Sequence, residues 1–127
     1  MAIPVAHNLI HYKGDTWNTR TYRMYSDVEL TIPVDLTGYS AIMQVRKKNT
    51  ALTVILEWTT DPASGEDPTI SFDGDDNNRF NILTRPATDM DLEAGIYSYD
   101  LQFTSPEGVV TTYMFGSFTI VQDTTRQ

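Results

Sequence analysis

His7 and His11 stand four residues apart, a metal-ligand spacing if the segment is helical. Pro4 precedes them, the residues beyond read as extended, and the first carboxylate is Asp15. The pair therefore reads as two solvent-exposed side chains on an N-terminal arm. A Ser or Thr nucleophile with a His base would have to recruit one of them, a poor place to hold a catalytic geometry. The "DGDDNN" run, Asp73 to Asn78, gathers oxygen ligands of the kind Ca²⁺ takes. It lacks the glutamate that an EF-hand loop requires, and Arg79 follows at once, so a solvated hairpin loop is the reading preferred and calcium stays an open alternative. Paired carboxylates for glycoside chemistry are abundant in number, yet nearly all fall in predicted loops with no aromatic platform between them. Arg46, Lys47 and Lys48 form the one tight cationic cluster. They could contact phosphate, cap a strand end in solvent, or keep an edge from pairing wrongly.

The bulk properties narrow the field further. The chain has 127 residues, the size of one domain with one core. It has 17 acidic against 9 basic residues, for a net charge of -8, which opposes nucleic acid and anionic membranes. Seven of the acids fall between Glu57 and Asp76, where there is no base. With no cysteine, disulfide scaffolds, thiol chemistry and Cys-ligated zinc are excluded. No stretch reads as a signal peptide or a membrane span, so the expectation is a soluble protein that leaves its cell of origin only within an assembly.

The elements that must position these groups are strands. In "GIYSYDLQFT", residues 95 to 104, Tyr97, Tyr99, Leu101 and Phe103 share one face, opposite Ser98, Asp100, Gln102 and Thr104. Tyr39, Ala41, Met43 and Val45 alternate in the same way, as do Leu52, Val54, Leu56 and Trp58. Weaker strand candidates are Thr19 to Tyr25, Val28 to Ile32, Thr69 to Phe72, Phe80 to Leu83 and Val109 to Val121. The last contains Gly116, a bulge or a close-contact point. Turn residues separate these runs, and "SPEG" should join the two best strands as an antiparallel hairpin. Only "TDMDLEA", residues 88 to 94, could form a helical turn or two, with Thr88 as N-cap. Most aromatics fall on inward faces, with Trp17 and Tyr12, flanking "GDT", expected nearest the surface.

About seven or eight short strands predict an all-β sandwich or barrel. "LEAGIY", Leu92 to Tyr97, has the Leu-x-x-Gly-x-Tyr spacing of a tyrosine corner, which favours a single immunoglobulin-like antiparallel β-sandwich. An ordinary turn followed by an aromatic strand is the alternative. The organisation expected is an arm over residues 1–12, the sandwich over 13–122 and a loose C-terminus over 123–127.

Four motifs in register, "KGDTWNTRTY", "VDLTGYSAIMQVRKK", "GIYSYDL" and "FGSFTI", resemble a family of small tailed-phage structural proteins. They are similar to the N-terminal immunoglobulin-like domain of the siphophage upper baseplate protein. The resemblance spans about Lys13 to Thr125. It implies an immunoglobulin-like sandwich with a structural, non-enzymatic role in a virion, in the tail or baseplate, bound to other virion proteins and to copies of itself. It implies no cofactor, metal, nucleic acid, membrane or small-molecule substrate. The coiled coil or receptor-binding extension of the upper baseplate protein has no counterpart after the sandwich, so a neck or capsid-surface role stays open. A carbohydrate-binding or host-recognition module is the rival reading, and it requires aromatics on a solvent face at strand spacing. Interface roles are expected at His7, Tyr12, Trp17, Arg46, Lys47 and Lys48.

Overall fold

The structure is a computed structural model that describes residues 5–26, 29, 31–48, 50–72 and 77–122. Alternation of apolar and polar side chains builds nine strand segments among them. These are β1 (Val5–Ala6), β2 (Leu9–Tyr12), β3 (Arg20–Arg23), β4 (Ser40–Arg46), β5 (Leu56–Thr59), β6 (Ile70–Phe72), β7 (Arg79–Ile82), β8 (Gly95–Thr104) and β9 (Val110–Val121). No helix occurs among the described residues. The larger sheet runs β9-β8-β4-β5, with β1 and β2 both pairing the outer side of β9, and the smaller runs β3-β7-β6.

This is an immunoglobulin-like β-sandwich, and the strand order alone identifies it. Strands β3 to β9 follow the B, C, C′, D, E, F, G succession, with B, E and D in one sheet and G, F, C and C′ in the other. Where an antibody domain staples its sheets with a disulfide, this chain uses rings. Phe80 on β7 meets Phe103 on β8 edge-on, with centroids 5.0 Å apart. Tyr22 stacks on Phe80, and Phe72 on Phe103. A second cluster joins Trp17, Trp58 and Phe118, with the two indoles 5.0 Å apart. The inward residues Ala41, Met43 and Val45 of β4 and Tyr97, Tyr99, Leu101 and Phe103 of β8 are all buried, as the period-two pattern requires.

Local chemistry fixes the turns. Asp35 Oδ1 accepts from the Thr37 amide (3.0 Å) and hydroxyl (2.7 Å), and Tyr39 N–H closes onto Leu36 C=O (3.0 Å). Those two Thr37 hydrogen bonds hold the Asp35 carboxyl below its usual range. Gly38 follows at φ 80°, a left-handed conformation that favours glycine. The tyrosine corner is present: Tyr97 Oη donates to Glu93 C=O at 2.7 Å.

Several expectations change. Residues 5–12 are not a projecting arm, because β1 and β2 pair in parallel with β9, Leu9 opposite Phe118 and Tyr12 opposite Val121. Gly116 makes this possible as a close-contact point. His7 N–H bonds Phe115 C=O (2.9 Å), Asn8 Oδ1 accepts from Ser117 N–H (3.0 Å), and a Cβ on Gly116 would lie 2.9 Å from His7 O. The β-bulge sits elsewhere on β9: Leu101 faces Met114 and Gln102 faces Thr112, leaving Tyr113 as the extra residue. Tyr113 and Met114 are consequently both buried.

Strand β5 begins only at Leu56, and Leu52 is 94% exposed. Arg46 takes hold of the Ala51 and Leu52 carbonyls, and Ala51 N–H bonds Lys48 C=O, so this segment turns away from the sheet. "TDMDLEA" forms no helix: Asp89 N–H and Met90 N–H close tight turns onto Pro86 and Ala87 carbonyls. In the Val28 to Ile32 candidate, Val28 and Leu30 lie outside the described residues, and Thr31 and Ile32 are not in a strand. Asp73 to Asp76 of the calcium candidate and the proposed loose C-terminus, 123–127, also lie outside them.

Candidate interaction surface

The outward residues of the larger sheet form its solvent face. Four rows cross it. Phe115 on β9, Asp100 on β8, Gln44 on β4 and Glu57 on β5 are successive neighbours in one row. Beside it run Gln102 and Ile42 on one side, and Ser117, Ser98 and Arg46 on the other. Toward the β2 edge, Ile10, Thr119 and Ile96 align. Ile96 is 74% exposed, Ile10 61% and Phe115 43%; Ile10 and Ile96 flank Thr119, and Phe115 lies two rows away beyond Ser117, so this half of the face presents apolar side chains set among hydroxyls. Tyr12, at the end of β2, extends it.

The β4 half is polar and concave. Ile42, Gln44, Arg46, Leu52, Ser98, Asp100 and Gln102 border a depression of about 510 Å³ roofed on one side by residues 50–52. Its wall is a linked set of hydrogen bonds. Glu57 Oε1 accepts from Gln44 Nε2 (2.8 Å), and Gln44 Oε1 accepts from Arg46 (2.8 Å). Arg46 also donates to the Ala51 and Leu52 carbonyls at 2.7 Å each. Burial pushes the Asp100 carboxyl up from its usual range, and Arg46 offsets part of that rise.

A second depression, about 610 Å³, lies between β3 and β9 and is lined by His7, Tyr22, Arg23, Arg79, Tyr113 and Met114, among others. Tyr113 Oη donates to Arg23 C=O (2.9 Å) and Tyr99 Oη to His7 C=O, bonds that tie the two sheets and the N-terminal segment together. Burial raises both phenol pKa values above the ordinary range.

The sequence-predicted interface residues fall in different places. Trp17 is not at the surface: it is 1% exposed, packed on Trp58 and Phe118 with the Arg20 guanidinium over its ring. Its approach is set by the Lys13 to Asp15 turn, where Lys13 Nζ reaches Asp91 (2.7 Å) and Gly14 N–H bonds Met90 C=O. His11 is likewise buried, donating from Nε2 to Asp15 C=O (2.8 Å). His7 sets its ring edge-on to Tyr22. Tyr12 is 53% exposed. Arg46, Lys47 and Lys48 close the end of β4, with Arg46 in the wall of the depression and Lys47 reaching Glu93 at 3.7 Å. Lys48 is exposed. Among the described residues no group of three His, Asp or Glu side chains is placed to hold a metal ion.

Sequence reasoning missed Ile10, Ile96, Phe115 and the Asp100 depression as surface features. The signal available for the depression was the polar half of the β8 alternation, Ser98, Asp100 and Gln102. Phe115 and Tyr12 are the aromatics exposed on this face, separated along the sheet rather than at strand spacing.

No family model and no curated protein matches the chain. Among solved structures it is similar to CopC from Methylosinus trichosporium OB3b, at 9% identity over 94% of this chain and 90% of that one, with a TM-score of 0.47. It is also similar to AggA, the major subunit of aggregative adherence fimbriae type I from Escherichia coli (11%, 95% and 92%, TM-score 0.36). A third is the V domain of amphioxus IgVJ-C2 (14%, 88% and 98%, TM-score 0.27). At these identities and scores none bears on what this chain does.

Proposed function

We propose that this chain is a non-enzymatic structural protein of a tailed-phage particle, placed in the tail or baseplate, which assembles with other virion proteins and with copies of itself. The observation that carries the assembly reading is the set of exposed apolar side chains, Ile10, Ile96 and Phe115, on the outer face of the larger sheet. Such side chains on a rigid sheet suit docking, because burying them against a partner gains hydrophobic free energy with little ordering cost. The particle reading rests on the motif resemblance. The Lys13 to Asp15 turn of its first motif is pinned to Met90 and Asp91, just ahead of its third. Repetition around a symmetric particle would multiply weak contacts through effective concentration.

Gold-labelled antibody against the chain should mark the tail or collar of purified virions in micrographs. Label confined to the cytoplasm of infected cells overturns the reading. Mass measurement in solution tests self-association separately.

A further inference from the structure

We propose that the depression over Asp100 is a socket for a cationic side chain, a lysine or arginine presented by the partner protein that covers the outer face. This deepens the docking reading above and rests on it.

The charged acceptor of the socket, the Asp100 carboxylate, is free, while its one cation, Arg46, is turned to the wall. Arg46 and Gln44 are committed to the wall, to the Ala51 and Leu52 carbonyls and to Glu57. No side-chain hydrogen bond and no ion pair within 4.0 Å is made by Asp100 among the described residues, and Ser98 and Gln102, its neighbours two residues either way on β8, likewise make no side-chain hydrogen bond. A carboxylate thus faces one space with an unbonded amide and hydroxyl, each able to turn an acceptor to the N–H groups of an ammonium or guanidinium. The flanks are aliphatic, Ile42 from the sheet and Leu52 from the roof, suited to a methylene stem. The Tyr99 ring is turned into the core, so the depression offers no aromatic plate for a sugar. The charge sense agrees, since a chain of net -8 draws basic partners toward it. Around the socket, Ile96 and Phe115 provide apolar surface that would exclude water once covered.

The test is a titration of the isotope-labelled full chain with N-acetyl-lysine N-methylamide at low ionic strength, followed by amide NMR shifts. Saturable shifts are expected at Ser98, Asp100, Gln102 and Leu52. The neutral norleucine analogue should bind at least about tenfold more weakly, and Asp100→Asn should weaken the lysine probe by a similar factor. Gln102→Ala, which leaves every described hydrogen bond in place, should weaken it less. Absence of saturable shifts on this face overturns the proposal. So does equal binding of the norleucine analogue, or saturation by methyl α-glucoside that Asp100→Asn leaves untouched, which would make the depression a saccharide site. All these outcomes are read on the isolated chain, so they are separable from the virion-labelling result.

Discussion

The two sides of β8 differ in what they meet. Inward, Tyr97, Tyr99, Leu101 and Phe103 are buried in the aromatic seam between the sheets. Outward, on the same ten-residue strand, Ile96, Ser98, Asp100 and Gln102 meet solvent. One side specifies the fold and the other is free to carry recognition, so stability and function should separate by residue parity along the strand.

The sharpest way to break that contrast is Phe103→Ala. Its ring touches Phe80, Phe72 and Tyr113, and its loss should cost about 3–5 kcal/mol in denaturant unfolding. Next comes Gly116→Val on β9: the Cβ collides with backbone of the β1–β2 link, and a loss of about 2 kcal/mol or more is expected. Tyr97→Phe removes the bond to Glu93 C=O while keeping the packing, for about 1 kcal/mol.

Asp100→Asn should act in the opposite direction and depend on pH. A carboxyl whose folded pKa lies above 3.8 contributes stability that is present below that value and is lost as pH rises through the folded pKa. Wild type and variant should therefore melt together near pH 3 and diverge by pH 7, the variant higher by roughly 1–3 °C once solvent screening is allowed for. A variant that melts lower at pH 7 would mean the carboxylate is held by partners rather than stranded. Smallest of all, Gln102→Ala should stay within about 0.5 kcal/mol of wild type, and a cost near that of Phe103→Ala would erase the distinction between the faces.

How much of this was legible in the sequence varies with the range of the interactions. Strands β4 and β8 were readable because their partners are adjacent and each buries one full face, and the tyrosine corner because its bond spans four residues. Strand β2 was not, since its partner is more than a hundred residues away and nothing within "LIHY" announces a parallel neighbour. Trp17 was placed at the surface by its polar neighbours, whereas Trp58 and Phe118, distant in sequence, enclose it. The alternation of Leu52 with Leu56 was genuine, yet the Arg46 hydrogen bonds to two carbonyls pull residues 51 and 52 out of line. For the outer face, periodicity says that side chains are wet and is silent on which of them lack partners.

The parallel pairing of β2 with β9 has a mechanical consequence. Because the two strands run the same way, tension applied through the chain before β1 and after β9 pulls them past one another along their length. Their ladder is then loaded in shear, with its hydrogen bonds sharing the force rather than opening one at a time. A domain strung by its two ends should accordingly resist extension better than one whose terminal strands are antiparallel and unzip.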